Sequence, residues 1–166
     1  MGVSGSGKTT VGAMLAGRLG WPFVDGDAIH PESNIAKMTA GNPLTDRDRE
    51  QWLSAIAHWV DERRESREGG VIACSALKRS YRDAINRRGY GVTFVFLAGS
   101  RAIMAARLGA RKGHFMPSSL LDSQLADLEE PSSDEPAIRL DVGPEPEVIV
   151  QRILEELGLS TETRER

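Results

Sequence analysis

A single cysteine, Cys74, is all the thiol chemistry this chain has. No intramolecular disulfide framework can form from it, and so sparse a use of cysteine suits a reducing compartment. Apolar runs of membrane-spanning length are missing, and so is a leader-like opening. An excess of basic residues is missing too. Lys and Arg number 21 against 24 Asp and Glu, so the formal charge is −3 and no electrostatic footprint for nucleic acid exists. Repeats and low-complexity tracts are likewise not seen. These absences leave one ordinary globular domain of 166 residues, long enough for a real core and expected to be cytoplasmic.

Against them stands Gly2-Val3-Ser4-Gly5-Ser6-Gly7-Lys8-Thr9, the pattern G-x-x-x-x-G-K-[ST] of a loop that cradles nucleotide phosphates. Glycines let the backbone turn so that successive N–H groups converge on one anion. A helix predicted over residues 8–19, which carries Thr9 and Thr10 in its first turn, adds the positive end of its dipole. Lys8 can set an ammonium between the β- and γ-phosphates, and the Thr9 hydroxyl can ligate Mg²⁺. The motif also predicts a strand before Gly2. The chain opens at Met1, so the expected fold is an α/β phosphate-loop domain whose first strand is truncated.

Past Gly20, Pro22-Phe23-Val24 reads as a short strand ending in Asp25-Gly26-Asp27. Two acids at the carboxyl edge of a parallel sheet lie where open α/β folds bind ligands. Asp25 is suited to hold water on Mg²⁺ and Asp27 to accept a hydroxyl from the phosphoryl acceptor; a solvated Asx turn is the alternative. Residues 30–37 read as a short helix, and Thr45 as the cap of a long one. On the latter, Trp52, Leu53, Ile56, Trp59 and Val60 make an apolar stripe, with both tryptophans read as core. Arg49, one turn before it, points back to the site or else into solvent.

Residues 71–74 read as a buried strand. After it Lys78 and Arg82, four apart, share a helical face aimed either at an anionic substrate or at water. A strand over 92–97 leads into a helix ending in Arg107, Arg111, Lys112 and His114. That is the composition of a mobile lid that brings cations onto phosphates. A helix over 120–128, an exposed acidic loop over 129–136, a strand over 137–142 and a closing helix complete the chain. Strands and helices alternating at this density predict a parallel sheet covered on both faces.

With these residues laid out, the chain resembles the gluconokinases of the short phosphate-loop type, relatives of shikimate kinase and the nucleoside monophosphate kinases. Asp25-Gly26-Asp27-x-x-His30-Pro31-x-x-Asn34 carries the resemblance, together with Gly41-x-Pro43-Leu44-x-Asp46-x-Asp48-Arg49-x-x-Trp52. So do Cys74-Ser75-Ala76-Leu77-Lys78-x-x-Tyr81-Arg82, Ala110-Arg111-Lys112-Gly113-His114-Phe115, and the stretch through Gln124 and Leu128-Glu129. It implies a three-layer kinase domain over 1–166, with a substrate-binding helical segment over about 28–66 and a lid over about 111–120. It also implies ATP and Mg²⁺ as cofactors, D-gluconate as substrate, and transfer of the γ-phosphoryl to the 6-hydroxyl. The implied roles give nucleotide binding to residues 2–10 (Gly2 to Thr10), Arg107 and Arg111, and the metal to Thr9 and Asp25. Lys8, Asp27 and Arg111 are the implied catalytic groups. The acceptor falls to Asp27, His30, Arg49, Lys78, Arg82 and His114. Homodimers are common in the family.

Shikimate and adenylylsulfate kinases are the near rivals, disfavoured by the His30-Pro31-x-x-Asn34 and Cys74-to-Lys78 blocks. A GTPase switch would need a base-reading N-K-x-D stretch, and an ABC-type ATPase an LSGGQ-like signature; neither is present. A chain left inactive by loss of its first strand is the third alternative.

Overall fold

The computed structural model describes residues 1–110 and 119–159. Helical spacing behind the phosphate loop produces α1 (Lys8–Leu19), closed by Gly20 in the left-handed region at φ 66°. β1 (Phe23–Asp25) runs into a 3₁₀ turn over Gly26–Ile29, followed by α2 (Glu32–Thr39). Thr45 caps α3 (Asp46–Ser66) through a reciprocal capping box with Asp48. Then come β2 (Val71–Ala73), α4 (Arg79–Ile85), β3 (Phe94–Ala98) and α5 (Arg101–Ala110). α6 (Ser119–Asp127), β4 (Ala137–Asp141) and α7 (Pro146–Glu156) complete the described chain.

All strand pairing among the described residues is parallel. β1 lies beside β2 with Val24 opposite Ile72, and β3 beside β4 with Phe96 opposite Arg139. Alternation along β3 assigns the two faces. Val95 and Leu97 join Val11, Leu15, Ile153 and Leu154 on the side of α1 and α7. Phe94, Phe96 and Ala98 join Trp52, Ile56, Tyr81 and Ile85 on the side of α3 and α4. Period-two side chains with a helix layer on either face make the expected three-layer α/β arrangement.

Between β2 and β3, where the motif predicts a preceding strand, stand Met1 and Gly2. The Met1 α-amino group donates to the Val95 carbonyl at 2.5 Å, Leu97 N–H donates to the Met1 carbonyl at 3.0 Å, and Gly2 N–H donates to the Ser75 carbonyl at 3.2 Å. The two residues thus tie β3 to the end of β2. Behind them a slot of roughly 470 Å³ is walled by Val11, Leu15, Ala73, Val95, Leu97 and Ile153 among others. Burial pushes the Met1 amine down to about 6.

Candidate active site

The phosphate loop is held tightly from behind. Gly5 has φ 84°, and a Cβ there would lie 2.7 Å from the Met104 carbonyl oxygen of α5, so only glycine fits. Gly7 caps α1 in the left-handed region, no side chain caps the helix, and no acid sits in its first turn. Its first amides and its positive dipole end are left to face an anion. The Ser6 hydroxyl is buried without a hydrogen-bond partner among the described residues. Lys8 Nζ donates across the loop to the Val3 carbonyl at 3.0 Å, and the Arg107 guanidinium stands beside Gly7 while donating to the Val142 carbonyl at 2.6 Å. Thr10 is exposed next to this cradle.

The acid turn abuts the loop. Thr9 Oγ1 donates to Asp25 Oδ2 at 2.9 Å, and Asp25 Oδ1 accepts from the Asp27 amide at 3.0 Å. A hydroxyl and a carboxylate in contact are hard oxygen donors suited to a hard divalent cation. A Cβ on Gly26 would meet the Ala73 carbonyl oxygen at 2.6 Å, so the turn presses on the end of β2 and glycine is required between the acids. Trp52 Nε1 donates to the Gly26 carbonyl at 2.7 Å, and its ring stacks on His30 with centroids 4.6 Å apart. Trp52 is core, as its spacing predicts, and it is also the platform that sets this turn. Burial, with a smaller contribution from Arg49, lowers the His30 pKa, and Asp27 opposes the shift.

Opposite the turn, Arg49 donates to the Leu44 carbonyl at 2.7 Å and to the Tyr81 hydroxyl at 3.2 Å, and it lies over the Tyr81 ring. Its other end is 3.7 Å from Asp127. Lys78 pairs with Asp46 at 2.8 Å and lies 3.7 Å from Asp127. The Tyr81 hydroxyl donates to Asp46, whose carboxyl is held below its usual range by Lys78 and Tyr81. A narrow cleft of about 40 Å³ joins the two sides: Lys8, Asp27, His30, Arg49 and Gln124 all line it.

A shikimate kinase family model matches residues 4–158. A gluconokinase of Gluconobacter oxydans is 49% identical over 154 residues, covering 93% of this chain and 86% of that relative.

The chain belongs to the gluconokinase branch of the shikimate kinase family.

Solved structures agree. A gluconokinase from Sinorhizobium meliloti is 48% identical with a TM-score of 0.81, covering 98% of this chain and 95% of its own. An unliganded sugar kinase from Janibacter sp. is 46% identical with a TM-score of 0.90, covering 96% and 92%. Membership in a kinase family makes this chain an ATP-using enzyme.

Within this gluconokinase-family fold, one expected acceptor group is elsewhere. Arg82 is 1% exposed and turned away from the cleft. It forms a two-pronged pair with Glu135 at 2.5 and 2.8 Å and donates to the carbonyls of Ala76, Leu77 and Glu129. The pair pushes Glu135 down to about 2, and Glu135 is thus not part of an exposed acidic loop. Lys78 is the residue before α4, so the four-residue spacing to Arg82 never becomes a shared helical face. Arg82→Met is expected to cost roughly 3–5 kcal/mol of stability by stranding a buried carboxylate. Urea unfolding should show that loss while the acceptor KM of the folded enzyme stays unchanged.

Arg111, His114 and most of the expected lid lie outside the described residues. Gln124 lines the cleft and Asp127 lies beside Arg49 and Lys78, placements that the residues alone do not announce. The sequence signal was slight: Gln124 lies in a stretch of family resemblance, and Asp127 directly precedes Leu128-Glu129.

Proposed function

We propose that the chain transfers the γ-phosphoryl of ATP to the 6-hydroxyl of D-gluconate, giving 6-phosphogluconate and ADP. The observation that carries this reading is the Asp25-Gly26-Asp27 turn. It is bonded to Thr9 of the phosphate loop and shares one cleft with Lys8, His30 and Arg49. Gluconokinase relatives over most of the chain support the acceptor.

Bound ATP supplies the phosphoryl group, and Mg²⁺ its charge neutralisation. The chain's own residues do the rest. Lys8 and the loop amides grip the phosphates, and Thr9 and Asp25, already in contact, would hold Mg²⁺ beside them. Asp27 aligns the acceptor hydroxyl and takes its proton as the new P–O bond forms and the β–γ bridging bond breaks. Arg107 flanks the loop; the roles expected of Arg111 and His114 fall on residues outside those described. Residues 28–66 form the acceptor side, where Arg49 and His30 meet the sugar acid and Lys78 supports Arg49 through their shared carboxylates. Arg82 has no place in this assignment.

A coupled ADP-release assay with ATP and Mg²⁺, run on D-gluconate, shikimate and adenylylsulfate in parallel, tests it. Turnover with gluconate alone is the expected result. Turnover with either rival instead would overturn the acceptor assignment.

A further inference from the structure

Three residues of α6 fall on one stripe: Leu120, Gln124 and Asp127, spaced i, i+4, i+7. Each touches a different part of the site. Leu120 is buried with Met38 of α2 and with Leu44, on the acceptor side. Gln124 Oε1 accepts the Ser4 amide of the phosphate loop at 2.7 Å, across 120 residues of sequence. Asp127 lies 3.7 Å from both Arg49 and Lys78. On the neighbouring stripe Leu121 is buried with Val3 of the same loop. One short helix therefore touches the nucleotide side, the acceptor side and the cation between them.

We infer that α6 is the frame that registers the two substrates against each other, with Gln124 and Asp127 as its positioning residues. The inference rests on the phosphoryl-transfer reading above. Its physical basis is geometric. In-line transfer needs the acceptor oxygen about 3–3.5 Å from its target, and a misplacement of about 1 Å from a remote change can cost a hundredfold in rate. The Ser4 amide, engaged by Gln124, fixes the front of the loop. The Leu44 carbonyl, Tyr81 of α4 and Asp46 of α3 engage one guanidinium nitrogen of Arg49, and Asp127 of α6 lies 3.7 Å from the other. The two anchors lie three residues apart on one helix, so a shift of α6 moves both together.

The test is a double-mutant cycle on kcat with Gln124→Leu and Asp127→Asn, with Gln124→Glu as the conservative variant. Gln124→Leu is expected to lower kcat about ten- to a hundredfold with KM for ATP little changed. Gln124→Glu, which keeps the acceptor oxygen for Ser4, should recover most of that loss. The double variant should be no slower than the worse single one, because both act through one frame. Independent, multiplying losses would overturn the inference. So would an unchanged kcat, or a lower melting temperature as the only effect. Wild-type turnover with gluconate tests the functional reading itself. The ratio of variant to wild type, taken on whichever acceptor is phosphorylated, tests the frame, so the two fail separately.

Discussion

Asp27→Asn should reduce gluconate turnover by about 10²–10⁴-fold, the range a positioned acid–base group supplies, while nucleotide still binds. The prediction is clean because the substitution spares the local structure. The bond that shapes the turn runs from the Asp27 backbone amide to Asp25, and asparagine keeps that amide. Gly26 still presses on Ala73, and Trp52 still holds the Gly26 carbonyl. Only the carboxylate is lost, and with it the proton acceptor proposed for the hydroxyl. Stopped-time turnover gives the rate, and a fluorescent-nucleotide titration gives the affinity. A variant that keeps its rate would remove Asp27 from the chemistry. A variant that loses nucleotide affinity to the same degree would make it a phosphate-side residue.

The second large effect is on stability. Extending the chain upstream of Met1 by five or six β-branched residues is expected to fill the slot between β2 and β3. Burying one aliphatic side chain is worth about 1.5–3 kcal/mol, so three inward-facing residues supply on the order of 5 kcal/mol. In a domain of this size each kcal/mol raises the melting temperature by about 2–4 °C. The same extension removes a buried charge. The Met1 amine falls from 8.0 to about 6 on folding, a penalty on its charged form on the order of a few kcal/mol. The sign follows from proton counting. At pH values between the two, the unfolded chain binds the proton and the folded chain does not, so stability rises with pH. Below pH 6 the penalty is present in full, and above pH 8 it is gone. Urea unfolding at pH 5.5 and pH 8.5 should show a larger rise for the chain beginning at Met1 than for the extended form, which keeps only the rise due to the lowered His30 pKa. Equal stability of the two forms at both pH values would mean that the slot does not accept a strand.

What was legible in the sequence was local. Gly2 to Thr9 and Asp25 to Asp27 declare their chemistry because the residues that act together are neighbours in the chain, and β1 and α1 follow from short-range periodicity. The register of the strands was not legible there, since Phe23 pairs with Val71 and Phe94 with Ala137. Nor were long-range partners. Arg82 carried a spacing that suggested a shared face with Lys78, and nothing near it announced Glu135, 53 residues on. Gln124 reaches Ser4 only because α6 folds back across the site. Trp52 was rightly read as core, yet a buried indole still has an N–H to place, and its choice of Gly26 depends on the end of β2.

Cys74 gives the slot a clock. It lines that cavity, is 5% exposed, and its thiol is pushed up by burial, so the sulfur is protonated and shielded while the domain is closed. Gly26 lies against it on the other side, with an ideal Cβ there 3.1 Å from the Cys74 Cβ. Reaction with a thiol reagent must therefore wait for local opening around the sulfur, from the slot or from the acid turn. The labelling half-life of this one sulfur measures how often the site's back wall breathes, without any probe having to be introduced.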